Sequence, residues 1–225
     1  MTIAAGGRCL SDLRTLRDQP ALFGTVASDT TAWRTVHQLG EMLLGVLVGV
    51  RQAATRRLLE HAEVEQIELE VDATLLHLHS EDRHGAAATF KGGFGFAPML
   101  CFIEPLGLPA GMLRPGGATA NNAAAVIADL DEDGWGPAYD TGGVSVTARR
   151  IGLRHQVTLT NDDTAESTVI ERDHRGHARV ENRIKNLKDT GLSRLPFTSF
   201  DANRAWVELV QIAALLLAGL QAATA

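Results

Sequence analysis

The stretch "IELEVDATL", residues 67–75, decides the fold class of this chain. Apolar residues occupy its odd positions, and its even positions hold Glu68, Glu70, Asp72 and Thr74. A period of two residues is typical of a β-strand that turns one face toward a core. We therefore predict a strand here, with its apolar face buried and its acidic residues on the other face.

The residues on either side of this strand complete the fold prediction. Apolar residues in 28–63 recur at helical spacing, which predicts a helix from about Thr31 with Ser28 or Asp29 as its N-cap. Further strands are predicted at 95–104, 110–117 and 153–162, a loop at 131–143, and further helices at 121–130, 173–189 (ending near Gly191) and 202–220. This combination predicts an α/β or α+β fold.

Composition indicates an ordinary globular protein. The chain has 225 residues, of which 45% are hydrophobic and 21% charged, so one large domain or two small ones can bury a core. Its two cysteines, Cys9 and Cys101, are far apart, which suits a reducing cytoplasm. We expect no secretory signal, and the apolar tract 206–220 is shorter than the ~20 residues of a membrane span. It is interpreted as a buried helix of a cytoplasmic protein with no membrane partner.

Charge is unevenly distributed along the chain. The formal net charge is −6, and residues 60–82 hold eight acidic residues without Lys or Arg. In contrast, "DHRGHARVENRIKNLKDTGLSRLPF", residues 173–197, has six Lys or Arg against three acids. An acidic chain can therefore present a locally basic face, to an internal carboxylate or to a polyanion.

Two groups of residues in the first strand region are candidates for chemistry. Asp72 is either one of several solvated carboxylates on an edge strand or an oxygen ligand for Mg²⁺. His77 and His79 share one strand face near His84, but their spacing matches no zinc signature. The glycine-rich "KGGFGF" (91–96) lacks the order of a phosphate loop and predicts a turn that leads into a strand.

The basic segment allows two interpretations as well. On a helix, His177, Glu181, Lys185 and Lys188 share one face. This face is either a solvated Glu–Lys pair, worth only ~0.3–0.5 kcal/mol, or a metal-binding carboxylate among cations that contact phosphate. The second interpretation requires Asp72 and Glu181 to converge, which spacing alone does not establish.

The chain resembles bacterial insertion-sequence transposases of the Asp-Asp-Glu class, of the type prominent in actinobacteria. The resemblance rests on five stretches in order: "ALFGTVASDTTAWR" (21–34), "LEVDATLLHLHSEDRHGAAATFKGGFGFAPMLCF" (69–102), "LRPGGATANNAA" (113–124), "LRHQVTLTN" (153–161) and "HRGHARVENRIKNLKDTGLSRLPF" (174–197). It implies an α/β fold with an RNase H-like mixed sheet and flanking helices. It divides the chain into an amino-terminal helical region, 1–65, and a catalytic domain, 66–225.

By this resemblance, carboxylates hold two Mg²⁺ ions, for which Mn²⁺ can substitute, and the reaction is phosphoryl transfer at the ends of an insertion sequence. Asp72 matches the first acid and Glu181 the Glu, so both are the expected catalytic and metal-binding residues. The expected partners are DNA and a second copy of the chain. The DNA-binding candidates are His177, Arg183, Lys185 and Lys188.

The sequence departs from the family pattern in two places. His174 and His177 occupy the positions of a Tyr and an Arg, and the strand that carries the second Asp is not found. The nearby acids are Asp129, Asp131, Asp133 and Asp140, none in a convincing strand. We therefore expect an internal deletion near 130–150 and severely reduced strand transfer. The alternative is a non-catalytic remnant that binds DNA or oligomerises.

Overall fold

The computed structural model describes residues 1–38, 40–64, 67–79, 82–89, 92–116, 144–148, 155–159, 166 and 179–223. The chain divides into two compact units. One combines Met1–Gly117 with Val180–Ala225, and the other is Ala118–Arg179. Within the described ranges the secondary structure consists of helices and antiparallel sheets, so the prediction of an α/β fold is confirmed.

The amino-terminal part of the first unit is helical. After a 3₁₀ turn at Leu10–Leu13, its helices are α1 (Arg14–Arg17), α2 (Pro20–Phe23), α3 (Asp29–Gln38) and α4 (Gly40–His61). The Ser28 Oγ accepts a hydrogen bond from the Thr31 backbone N–H at 3.1 Å, which satisfies a free donor of the first turn of α3. The predicted cap at Ser28 is thus confirmed, and the predicted helix over 31–63 is present as α3 and α4.

The predicted strand at 67–75 is present as β1 (Glu68–Ala73), an edge strand of a three-stranded antiparallel sheet. It pairs with β5 (Met99–Glu104), which pairs in turn with β6 (Leu108–Pro109). The register places Asp72 opposite Leu100. Side chains directly opposite each other share a face of the sheet, so Asp72 lies on the face of Leu100.

The prediction of which face of β1 is buried was wrong. Leu69 and Val71 are each 59% exposed, whereas Glu70 is 4% exposed. Glu70 lies opposite Phe102, and the buried Leu100 and Phe102 place this face of the sheet against the core. Alternation defines two faces of a strand but does not determine which one packs, because the neighbouring strand contributes most of the apolar surface.

The predicted strand at 95–104 is two strands in different sheets. Besides β5, it contains β4 (Phe94–Phe96), which pairs with β2 (Leu76–Leu78) and β3 (Ala87–Ala88). Pro98 separates β4 from β5, and Pro lacks the N–H that a continuous ladder needs. At 110–117, where a third strand was predicted, the structure has only an isolated bridge between Met99 and Met112.

The second unit contributes a described hairpin of β7 (Val144–Ala148) and β8 (His155–Leu159). The strand predicted at 153–162 corresponds to β8. The predicted helix at 121–130 and loop at 131–143 lie outside the described residues.

Two helices complete the first unit. Helix α5 (Val180–Leu187) continues into a wider turn over Lys188–Leu192, and Gly191 in this turn adopts a φ of +146° that side-chain-bearing residues rarely adopt. Helix α6 (Phe200–Ala222) is capped by Ser199, whose hydroxyl accepts a hydrogen bond from the Ala202 N–H. Both correspond to predicted helices, although α5 begins later than Asp173 among the described residues.

The core lies between the sheet and these two helices. It joins residues of β5, α5 and α6, among them Leu100, Phe102, Ile184, Leu187, Trp206, Val207 and Val210. By length and composition α6 could cross a membrane, and it is the one helix within the described ranges for which this holds. Its buried Trp206 and Glu208 are instead typical of a core helix, which was the prediction for this tract.

Candidate functional site

Asp72 lies near the end of β1, on the sheet face that packs against α5. It shares this face with the buried Leu100 and Phe102 of β5, and α5 contacts both β1 and β5. The Asp72 residue itself is exposed, since β1 is an edge strand. The fold therefore directs an accessible carboxylate toward the helix that carries Glu181.

The charges of Asp72 and Glu181 interact in the folded chain. Although Asp72 is exposed as a residue, partial burial of its carboxyl raises its pKa, and the negative charge of Glu181 raises this pKa further. The Ala73 backbone N–H acts in the opposite direction, donating to Asp72 Oδ1 at 2.8 Å and lowering the pKa. Residues separated by more than a hundred positions thus lie close enough for their charges to interact.

Glu181 is held by the apolar face of α5. Ile184 and Leu187 are buried, so the helix lies with its other side toward solvent, where Glu181 and Lys185 are exposed. Glu181 stands in the first turn, where the partial positive charge of a helix N-terminus favours a carboxylate. A one-turn spacing places Lys185 on the same exposed side as Glu181.

Two other cations of this segment contact the sheet. The guanidinium of Arg183 donates to both oxygens of Glu104, with Nε–Oε1 at 3.2 Å and Nη2–Oε2 at 3.3 Å. The Lys188 Nζ donates to Thr74 Oγ1 at 2.7 Å. Both residues were predicted to contact DNA, and in the structure both make intramolecular contacts beside the two acids.

The remaining predicted site residues are distributed differently. His174, His177 and the acids from Asp129 to Asp140 lie outside the described residues. His77 is exposed on β2, and His79 is exposed just beyond it. Within the described ranges, no three His, Cys, Asp or Glu side chains lie close enough together to hold a metal ion.

Sequence reasoning missed the acid that pairs with Arg183. Glu104 ends the strand "MLCFIE" on its inward face and is 3% exposed. A charged residue at an inward position of an apolar strand requires a partner, because a buried carboxylate without one is costly. The inward position of Glu104 in the alternating strand could have predicted a buried acid with a partner. It could not have predicted that the partner is Arg183.

The arrangement suits a divalent cation better than a nucleophile. Two carboxylates supply the hard oxygen ligands that Mg²⁺ prefers, together with water and phosphate oxygens. Burial is the main cause of the raised pKa of Asp72, and the charge of Glu181 adds to it; a cation bound between the two acids would relieve this repulsion. The donor chemistry therefore fits the metal implied by the resemblance, with two acids placed together by the described residues.

Comparison with known proteins identifies the family. The profile of the family described as transposase DDE domain group 1 matches residues 1–132, more than half of the chain. The match includes β1 with Asp72 and ends before α5 with Glu181. No curated protein and no solved structure matched the chain. This chain belongs to the transposase DDE domain family.

Proposed function

We propose that this transposase-like chain catalyses metal-dependent phosphoryl transfer, cutting and joining DNA strands at the ends of an insertion sequence. The proposal places the reaction in a domain of RNase H-like topology within residues 66–225, following a helical region at 1–65. The observation that carries it is that the helix of Glu181 packs against the strand of Asp72, far from it in the sequence, and that the charges of the two acids interact.

In this proposal, Asp72 and Glu181 are ligands of Mg²⁺, or of Mn²⁺ in its place. The bound metal would supply activation of the attacking hydroxyl and stabilisation of the leaving oxygen. Asp72 offers an exposed carboxylate from the rigid edge of a sheet. Glu181 offers another from a helix anchored by two buried residues, so the two ligands are supported by well-packed elements.

The predicted DNA contacts differ in how available they are. Lys185 is exposed on the same side of α5 as Glu181 and is the best placed of the described candidates for a phosphate contact. Arg183 and Lys188 contact the sheet first, and His177 lies outside the described residues. A second copy of the chain, as in a dimer bridging two DNA ends, stays part of the proposal, as does a cytoplasmic location.

We further propose that the chain derives from the actinobacterial type of insertion sequence and has lost the segment with the second Asp. The family match ends at residue 132, inside the region 130–150 in which the deletion is predicted. A metal pair held by two acids where the family uses three should be bound weakly. We therefore expect cleavage to be slow and strand transfer slower still.

The test is nicking of duplex DNA taken from the flanks of this chain's coding region, in Mg²⁺ and separately in Mn²⁺. We expect Asp72→Asn and Glu181→Gln to abolish nicking. Asp189→Asn is the matched control, because Asp189 is an exposed acid in the turn that follows the same helix. Nicking that survives Glu181→Gln would overturn the role of Glu181 as a ligand.

A second function is favoured by one observation. The strand that carries the second Asp of the family pattern is not found in the sequence, as expected for a remnant that binds DNA or oligomerises without cutting. This alternative predicts no nicking in either metal. It also predicts salt-sensitive DNA binding that Lys185→Gln weakens and Glu181→Gln leaves intact.

A further inference from the structure

The contact between Arg183 and Glu104 has the geometry of a clamp. Two parallel N–H donors meet both oxygens of one carboxylate, which fixes the direction of the guanidinium as well as its distance. The Glu104 side chain is 4% exposed and that of Arg183 is 31% exposed. A buried acid of this kind depends on its partner, so α5 is held to the end of β5.

Gly107 provides the space for this clamp. It has a φ of +64°, and a Cβ added at this position would lie 2.0 Å from the Cζ of Arg183. The guanidinium therefore lies directly against the backbone of the turn between β5 and β6. Any side chain at residue 107 would displace it from Glu104.

A second contact holds the other end of the helix. The ammonium of Lys188 donates to Thr74 Oγ1 at 2.7 Å and lies 3.5 Å from the Leu75 carbonyl oxygen. Thr74 is two residues beyond Asp72, immediately after the end of β1. This hydrogen bond thus joins the end of α5 to the strand end that carries the candidate metal ligand.

The two contacts are widely separated along the sheet. Glu104 pairs with Glu68 at the start of β1, and Thr74 follows its end. Six residues of extended chain span ~20 Å, so the contacts restrain both sliding and rotation of α5 over the strand. Glu181 lies two residues before Arg183 on the same helix, so its position over the sheet depends on these contacts.

We propose that Arg183 is a positioning residue that, together with the contact between Lys188 and Thr74, holds Glu181 beside Asp72, and that Arg183 is not a DNA contact. This inference rests on the proposed function, in which these acids bind the metal. Groups that orient metal ligands typically affect metal affinity 10–100-fold when they are lost. Phosphate contact on α5 is then the task of Lys185, whose side chain faces solvent.

The first experiment measures Mn²⁺ affinity by titration calorimetry on the full chain, without DNA. We expect Arg183→Gln and Thr74→Val each to weaken Mn²⁺ binding about 10-fold or more. Arg183→Lys should restore part of the loss, because it keeps the charge but not the bidentate contact. Arg204→Gln is the control and should leave the affinity unchanged, because Arg204 lies in an exposed ion pair with Asp201 on α6. Wild-type affinity in Arg183→Gln would overturn the inference.

The salt dependence of DNA binding separates the two roles. Loss of one phosphate contact lowers the slope of log K against log salt by about 0.9. We expect this change for Lys185→Gln and an unchanged slope for Arg183→Gln. A lower slope in Arg183→Gln, combined with unchanged Mn²⁺ affinity, would make Arg183 a DNA contact.

If the wild-type chain binds no Mn²⁺, the proposed metal binding by Asp72 and Glu181 is refuted. The positioning role of Arg183 can still be tested by amide hydrogen exchange. Exchange in α5 should then still accelerate in Thr74→Val and Arg183→Gln, while the buried part of α6 stays protected. Unchanged exchange in α5 would refute the positioning role. Thr74→Val removes only the acceptor of the Lys188 hydrogen bond. If Arg183→Gln fails to fold, the exchange of α5 in Thr74→Val is the measurement that tests the positioning role.

Discussion

Arg51→Met tests the buried ion pair that joins α4 to α6. The Nε of Arg51 lies 2.6 Å from Oε2 of Glu208, and the two side chains are 10% and 6% exposed. Oε1 of Glu208 also accepts from the Gln211 amide at 3.2 Å, and Gln211 in turn exchanges two hydrogen bonds with the backbone of Gly111. The pair is therefore the centre of a polar network between two helices and the end of the sheet.

Removing Arg51 leaves a buried carboxylate with one neutral donor. Breaking a buried pair in this way typically costs about 3–5 kcal/mol, whereas replacing both partners by apolar residues is often neutral. We expect Arg51→Met to lose that amount of unfolding free energy. Arg51→Met with Glu208→Leu should recover most of it, because Gln211 keeps its bonds to Gly111.

The measurement is urea unfolding followed by the helical circular dichroism signal, with the slope fitted for each variant. Arg204→Gln is the matched control, since Arg204 forms an exposed ion pair with Asp201 on the same helix at 3.3 Å. Such pairs contribute at most about 1 kcal/mol. If Arg51→Met cost no more than this control, Glu208 would be hydrated in solution, and the buried ion pair between α4 and α6 would be refuted.

Three further outcomes follow from the structure. Burial and the charge of Glu181 raise the pKa of Asp72, so its ionised form destabilises the folded chain. Asp72→Asn should therefore raise the urea midpoint at pH 7. The difference in midpoint should vanish as the pH falls toward about 4, because the carboxyl is then protonated in the wild-type chain as well. Burial raises the pKa of Cys101, so a thiol reagent at pH 8 should modify the exposed Cys9 first, and Cys9→Ser should leave only a slow phase. Asn203→Leu should cost about 2–3 kcal/mol in urea unfolding, because the Asn203 amide satisfies the backbone N–H and C=O of Phe197 inside the core.

Local periodicity was sufficient to predict most elements of the fold. The alternation over 67–75 predicted β1, and helical spacing predicted α3, α4 and α6, because each pattern reflects the geometry of a single element. It did not predict that Leu69 faces solvent while Glu70 is buried. That choice depends on what β5 and α5 bring to each face of the sheet, which is tertiary information.

The sequence predicted the two acids of the candidate site but not the contacts that Arg183 and Lys188 make beside them. Asp72 and Glu181 were selected by resemblance, and the structure adds that their charges interact. The cations next to Glu181 were interpreted from their charge as DNA contacts. Charge in the sequence does not reveal that Arg183 reaches Glu104, since this contact depends on the turn at Gly107 and on the antiparallel register of β1 and β5.

The proposed metal-binding role of Asp72 and Glu181 predicts that a divalent cation stabilises the chain. Arg183 pairs with Glu104 and Lys188 donates to Thr74, so both cations have partners beside the two acids. Burial raises the pKa of Asp72 and the negative charge of Glu181 raises it further, which means that the two ionised carboxylates repel each other in the folded chain. A divalent cation bound between them would remove this repulsion. If this reasoning is correct, Mn²⁺ should raise the urea midpoint of the wild-type chain and leave that of Asp72→Asn unchanged.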